Sequence, residues 1–131
     1  VREIYTQDNK VSVEIPVTLK NRTISEEAST LLASLLEGVV ANGSGSKAFI
    51  EGYRVGGKTG TAQKFENGAI AQGKYVSSFL GFFPANDPQY LALVIVDEPQ
   101  GAYYGSVVAA PAAAEIFRGI IQLKDIAPYT S

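Results

Sequence analysis

The chain has 131 residues, 46% of them hydrophobic and 18% charged, which is enough apolar material for one core and excludes collagenous, coiled-coil and disordered classes. A formal charge of -2, with eleven Lys and Arg scattered along the chain, leaves no basic stripe to displace counterions from a phosphate backbone, so no nucleic-acid partner is expected. With no Cys and no His, disulfides, thiolate chemistry, a Ser-His-Asp triad and a His-ligated zinc site are all excluded, and any catalytic base must be Lys, Asp, Glu or Tyr.

Val1 to Tyr5 and Val11 to Ile15 are short β-prone runs around Gln7-Asp8-Asn9, whose side chains favour a turn, so a hairpin is expected. Thr23-Ile24-Ser25-Glu26 has the T-x-x-E spacing of a capping box. Behind it Ala28, Leu31, Leu32, Leu35, Leu36, Val39 and Val40 recur on one helical stripe, which predicts a helix from Ser25 to Ala41 with Asn42-Gly43 as a left-handed stop. Gly43-Ser44-Gly45-Ser46 reads as a flexible loop, and Ala48 to Val55 leads through Gly56-Gly57 into an extended segment, Lys58 to Lys64. Tyr75 to Phe83 and Tyr90 to Val96 are β-prone, and Pro84-Ala85-Asn86-Asp87-Pro88 between them predicts an antiparallel return. The aromatics Phe79, Phe82, Phe83 and Tyr90 read as core or hairpin packing. Leu91 to Val96 is the longest apolar candidate, far short of the roughly 18 to 20 residues a bilayer crossing needs, so no membrane contact by this chain is expected. Beyond a Gly and Tyr loop, Val107 to Gln122 carries Ile116, Phe117, Ile120 and Ile121 at i, i+3, i+4 spacing, a helix beginning near Ala110 with Pro111 in its first turn. Helices beside an antiparallel sheet make the class α+β.

Two readings compete for Lys58. Gly52 to Thr59 satisfies G-x-x-x-x-G-K-[ST], the spacing of a phosphate-binding loop, and the apolar run ending at Asp97-Glu98 would supply the magnesium-holding carboxylates of a nucleotide hydrolase. Such a loop must open directly into a helix whose N-terminal amides hold the anion, yet Gly60 follows Thr59 at once and Thr61-Ala62-Gln63-Lys64-Phe65 has no helical period. Asp97 and Glu98 are then a solvated strand end that borders a cleft at most. The other reading takes Lys58-Thr59-Gly60-Thr61 as a strand edge that grips an extended peptide. Its main chain would bond the peptide, Gly60 would allow close approach, and Lys58 with the Thr59 and Thr61 hydroxyls would present donors to a carboxylate.

The surroundings favour the second reading. Gly52-Tyr53-x-Val55-Gly56-Gly57-Lys58-Thr59-Gly60-Thr61-Ala62-Gln63 resembles the Lys-Thr-Gly block of class B penicillin-binding proteins. Thr23-Ile24-Ser25-Glu26-Glu27 and Val39 to Gly43 resemble the segment before that block, and Ser77 to Pro84, Pro88-Gln89-Tyr90, Tyr104-Gly105 and Ala109-Ala110-Pro111 follow in the family's order. The resemblance covers Thr23 to Ile121, while residues 1–22 match only loosely as a lead-in.

The resemblance implies that residues 23–131 are the C-terminal part of a D,D-transpeptidase domain with the fold shared by penicillin-binding proteins and serine β-lactamases. It further implies substrate binding by Lys58, Thr59, Gly60 and Thr61, a Thr61 backbone amide acting as an oxyanion donor, a peptidoglycan stem peptide or a β-lactam as ligand, and no metal or organic cofactor. In that family a Ser-x-x-Lys nucleophile pair and a Ser-x-Asn motif precede the Lys-Thr-Gly strand. Neither Ser-x-Asn nor Tyr-x-Asn occurs here, and Ser44-Gly45-Ser46-Lys47, although it fits Ser-x-x-Lys, lies in a Gly-rich loop only fourteen positions before Lys58. The nucleophile is therefore expected in a missing N-terminal half of the domain, in a protein anchored at the extracytoplasmic face of the membrane, and this chain alone is expected to be inactive. A D,D-carboxypeptidase or serine β-lactamase fragment shares the strand, and a non-catalytic folding or binding unit is the alternative from another class.

Overall fold

A computed structural model describes residues 3–16, 18 and 21–129. Among them the elements run β1 (Glu3–Tyr5), β2 (Val11–Glu14), α1 (Glu26–Asn42), a 3-10 turn (Ser46–Ala48), β3 (Gly56–Glu66), β4 (Ala69–Phe83), β5 (Tyr90–Asp97), α2 (Gly105–Val108) and α3 (Ala110–Lys124). The class is α+β, as expected. β1 and β2 pair as the expected hairpin, turned by Asn9 at a φ of 62°. Val1 and Arg2, which the expected first strand included, lie outside the described residues.

Helix α1 departs from expectation at both ends. Its cap is Ser25, whose hydroxyl accepts from the Ala28 amide at 3.2 Å, rather than Thr23 of the T-x-x-E pattern. Ser25 stands directly before the first turn, with Glu26 and Glu27 behind it to meet the positive end of the helix dipole. At the other end Gly43 is extended (φ -118°, ψ -155°) instead of left-handed. Glycine is required there for space, because a Cβ would stand 2.8 Å from the Val39 carbonyl oxygen. Of the apolar stripe only Val40 is fully buried, while Leu31, Leu32 and Leu35 are exposed.

Strands β3, β4 and β5 form one antiparallel sheet in that order. The turn between β3 and β4 is Asn67-Gly68, both at positive φ (50° and 80°), the twist that a two-residue hairpin demands. Alternation places Ser77, Phe79, Gly81 and Phe83 of β4 on one face, opposite Val96, Val94, Ala92 and Tyr90 of β5. Helix α3 covers that face with Ala110, Ala113, Ala114 and Phe117, and the Phe117 ring meets Phe83 edge-on at 5.0 Å. Phe79, Phe82 and Phe83 are buried and Tyr90 packs beside them, in keeping with their reading as core. On the other face Leu91, Leu93 and Ile95 of β5 are exposed.

One expectation about apolar length is corrected. The helical run Gly105–Lys124 is long and apolar enough to cross a membrane by length and composition, whereas the sequence reading stopped at Leu91 to Val96. Ala110, Ala113, Ala114 and Phe117 of this run are buried in the fold, and its helix is interrupted at Ala109.

Gly81 lies between two rings: an added Cβ would stand 2.7 Å from Phe79 and 2.9 Å from Phe117. Overpacking of this kind costs about 1–3 kcal/mol. Gly81→Ala is expected to lower the unfolding free energy by that amount, seen as a lower urea midpoint at unchanged slope, and an unchanged midpoint would show that the rings move aside freely.

Candidate functional site: the Lys58-Thr59-Gly60-Thr61 strand

Residues 56–61 open strand β3, and their backbone path is set by aromatic rings on its neighbour. A Cβ on Gly56 would stand 2.5 Å from the Phe82 ring, and one on Gly57 would stand 2.4 Å from the Phe79 ring. Just upstream, Arg54 makes a bidentate pair with Glu37 of α1, both bonds at 2.7 Å, which ties the helix to the entry of the strand. The Arg54 guanidinium also lies 5.6 Å from the Tyr129 ring centroid, within cation-π range.

The phosphate-loop reading fails here. Lys58 is followed by strand to Glu66, so no helix opens directly after it, and the sheet is antiparallel throughout. Asp97 and Glu98 instead grip Lys64, at 3.0 Å and 2.8 Å, across the sheet end. The bonds to Glu98 and then Asp97 hold the Lys64 ammonium far above its usual range, so it stays charged.

The four expected site residues share one strand but divide between its faces. Thr59 and Thr61, opposite Phe79 and Ser77, point to the side of α2 and α3, whereas Lys58, opposite Leu80, points to the other. Lys58 is exposed, its Nζ donates to the Thr59 carbonyl at 3.0 Å, and among the described residues no carboxylate pairs with it. Thr61 Oγ1 accepts from the Gly105 amide at 3.0 Å, which leaves its own proton to donate. Gly60 has a reason beyond close approach of a ligand, since a Cβ there would meet the Ser78 hydroxyl at 2.6 Å. Strand β3 pairs only with β4, so among the described residues its outer edge is open.

Residues to which the sequence analysis gave no part in ligand binding complete this surface. Ser44 Oγ lies 3.3 Å from Thr59 Oγ1, and no helix spans Ser44 to Lys47. Fully buried Ser77 donates to the Tyr103 carbonyl, and Gly105 approaches so closely that a Cβ would stand 2.4 Å from the Gly60 carbonyl oxygen. Tyr103 stacks on Tyr75 at 4.0 Å, and its hydroxyl is pushed up to about 12, first by its hydrogen bond to Tyr104. Tyr104-Gly105 was among the resembling motifs, but only its place in the order was legible.

The family profile described as the penicillin binding protein transpeptidase domain matches residues 2–118. The chain belongs to this family. The match takes in the residues before Thr23, which resembled the family only loosely. Among curated relatives, Stage V sporulation protein D of Bacillus subtilis is 50% identical over 100 residues, covering 76% of this chain and 16% of the relative. The probable peptidoglycan D,D-transpeptidase PenA of Neisseria gonorrhoeae is 40% identical over 105 residues, 79% of this chain and 18% of that protein. The chain thus spans well under two thirds of the length of these relatives. Among solved structures, the transpeptidase domain of Burkholderia pseudomallei penicillin-binding protein 3 superposes with a TM-score of 0.75 at 33% identity, covering 85% of this chain and 34% of that one. Penicillin-binding protein 3 of Mycobacterium tuberculosis complexed with ampicillin gives 0.80 at 25% identity, over 100% of this chain and 31% of its own.

The tether at the strand entry carries a pH signature. Arg54 holds the Glu37 carboxyl below its ordinary 4.5, chiefly by the hydrogen bonds between them. A carboxylate depressed in the folded state stabilises fully above its unfolded value and loses that contribution as pH falls through the folded one. Unfolding free energy is therefore expected to decline on acidification below about pH 4.5, and Glu37→Gln should flatten that part of the profile. An identical profile in the variant would show that the pair contributes nothing measurable.

Proposed function

We propose that this chain forms the substrate-binding wall of a peptidoglycan D,D-transpeptidase, with residues 23–131 as helix, Lys-Thr-Gly strand, hairpin and C-terminal helix, and residues 1–22 as the lead-in. The observation that carries the reading is a strand edge, open among the described residues, with donors grouped along it. Thr59 and Thr61 present hydroxyls on one face two residues apart, and Lys58 offers an ammonium that no carboxylate among the described residues neutralises. An extended D-Ala-D-Ala stem peptide, or a β-lactam, would bond the main chain of β3 along Gly60 and place its terminal carboxylate against these donors. The ampicillin complex of the similar Mycobacterium tuberculosis protein supports the choice of ligand.

In the complete domain a serine outside this chain attacks the carbonyl between the two D-alanines, and its proton passes to a neighbouring lysine. The C–N bond breaks and the terminal D-alanine leaves with a proton. An amine of a second stem peptide then attacks the ester, forming the cross-link and releasing the serine. The Thr61 amide is assigned as one of two donors that stabilise the oxyanion. The exposed leucines of α1 and the exposed face of β5 are where the rest of the domain packs. Since the substrate is peptidoglycan, the site faces the extracytoplasmic side of the membrane, with any anchor supplied from outside this chain.

Two measurements test the reading. A charge-assisted hydrogen bond contributes about 1.5–3 kcal/mol, so Lys58→Ala in the complete domain is expected to slow β-lactam acylation about tenfold or more, and unchanged kinetics would remove Lys58 from the site. Incubated with a fluorescent penicillin, the chain alone is expected to show no mass increment, while the complete domain shows a stoichiometric one. An adduct mapped to Ser44 would make that serine the nucleophile and overturn the assignment.

A further inference from the structure

We infer that Ser44 is a positioning residue: its hydroxyl bonds the Thr59 hydroxyl and thereby aims the Thr59 proton at the ligand carboxylate. The inference rests on the reading of β3 as a carboxylate-binding strand. A hydroxyl has one proton and two lone pairs, so Thr59 can point its proton either into the loop or toward a ligand. At 3.3 Å the Ser44 hydroxyl can donate to Thr59, which occupies a Thr59 lone pair and leaves the Thr59 proton for an incoming anion. A hydroxyl that accepts one bond becomes a better donor in the next, so the pair grips an anion more strongly than Thr59 alone.

The loop that carries Ser44 is built to hold this geometry. The Gly43 and Gly45 amides both donate to the Val39 carbonyl, at 3.1 Å and 3.0 Å, and Ala48 donates back to Gly45 at 2.8 Å. Gly45 is buried and closely packed: a Cβ there would stand 3.2 Å from Val40 and 3.4 Å from the Phe79 ring. Phe79 is also the β4 partner of Thr59, so one ring backs both the serine loop and the threonine it serves. Thr61 is treated in parallel, since the Gly105 amide fills a lone pair of its hydroxyl and leaves its proton to donate. Both threonines are thus arranged as donors by groups outside the strand, one by a side chain and the other by the backbone.

The test uses the complete transpeptidase domain with benzylpenicillin and its methyl ester, which lacks the anion. Ser44 is exposed, so its truncation leaves the core intact. Ser44→Ala is expected to slow acylation by benzylpenicillin roughly three- to tenfold, the worth of one hydrogen bond, and to leave the methyl ester unaffected. Ser44→Thr should restore the rate, and Ser44→Ala should have no further effect in a Thr59→Ala background. Equal slowing with both ligands, or additive effects in the double variant, would make the Ser44 bond merely structural and overturn the inference. If Thr59→Ala slows benzylpenicillin while Ser44→Ala does not, the inference alone fails. If Thr59→Ala itself acylates normally, the carboxylate-binding reading of the strand fails and this inference with it.

Discussion

The buried ring of Phe79 is the constraint from which the arrangement of this site follows. Its atoms lie where Gly57 and Gly81 would carry a Cβ, and against the place where Gly45 would. Three glycines from three segments therefore close on one aromatic side chain: the loop after α1, the start of β3, and β4 itself. Close packing of this kind resists small displacements, because interiors have few voids to absorb them. The ring fixes how far β3 stands from the serine loop and from α3, and so where the hydroxyls of Thr59 and Thr61 emerge.

The electrostatics of the strand depend on which lysine is left alone. Lys64 is neutralised by Asp97 and Glu98, and Lys74 by Glu66, whereas Lys58 donates to a carbonyl oxygen and pairs with no carboxylate among the described residues. A lysine already held by carboxylates would have to give them up before meeting an anion. Strand alternation brings Lys58 to the edge from the face opposite the threonines. A carboxylate lodged at that edge would be met from both sides.

Much of the fold was legible because it rests on local periodicity. The 3.6-residue stripe behind Ser25 and the β-prone runs ending at Phe83 and Val96 specify their elements without outside help. The β3–β4 hairpin was missed although Asn67-Gly68 is a strong turn signal. Its flanking strands lack clean alternation, and the register shifts between Gln63 and Phe65. For the candidate site, Lys58 to Thr61 could be proposed from their motif, but their division between two faces required the pairing with β4. Ser44 and Gly105 were out of reach for another reason: they meet Thr59 and Thr61 across 15 and 44 residues of chain, and no local pattern encodes such a meeting.

Close contacts behind strand β3 also limit what evolution can do with it. Gly56 and Gly57 are blocked by rings, and a Cβ on Gly105 would stand 2.3 Å and 2.4 Å from two carbonyl oxygens. A lineage under selection by an inhibitor that imitates the substrate could not readily reshape the strand by enlarging these residues. Its accessible routes are exchanges between serine and threonine at the hydroxyl positions, and changes in the loops that hold the strand in place. Escape from such an inhibitor would then begin in the supporting segments and work inward, altering how firmly the edge is held before altering what it presents.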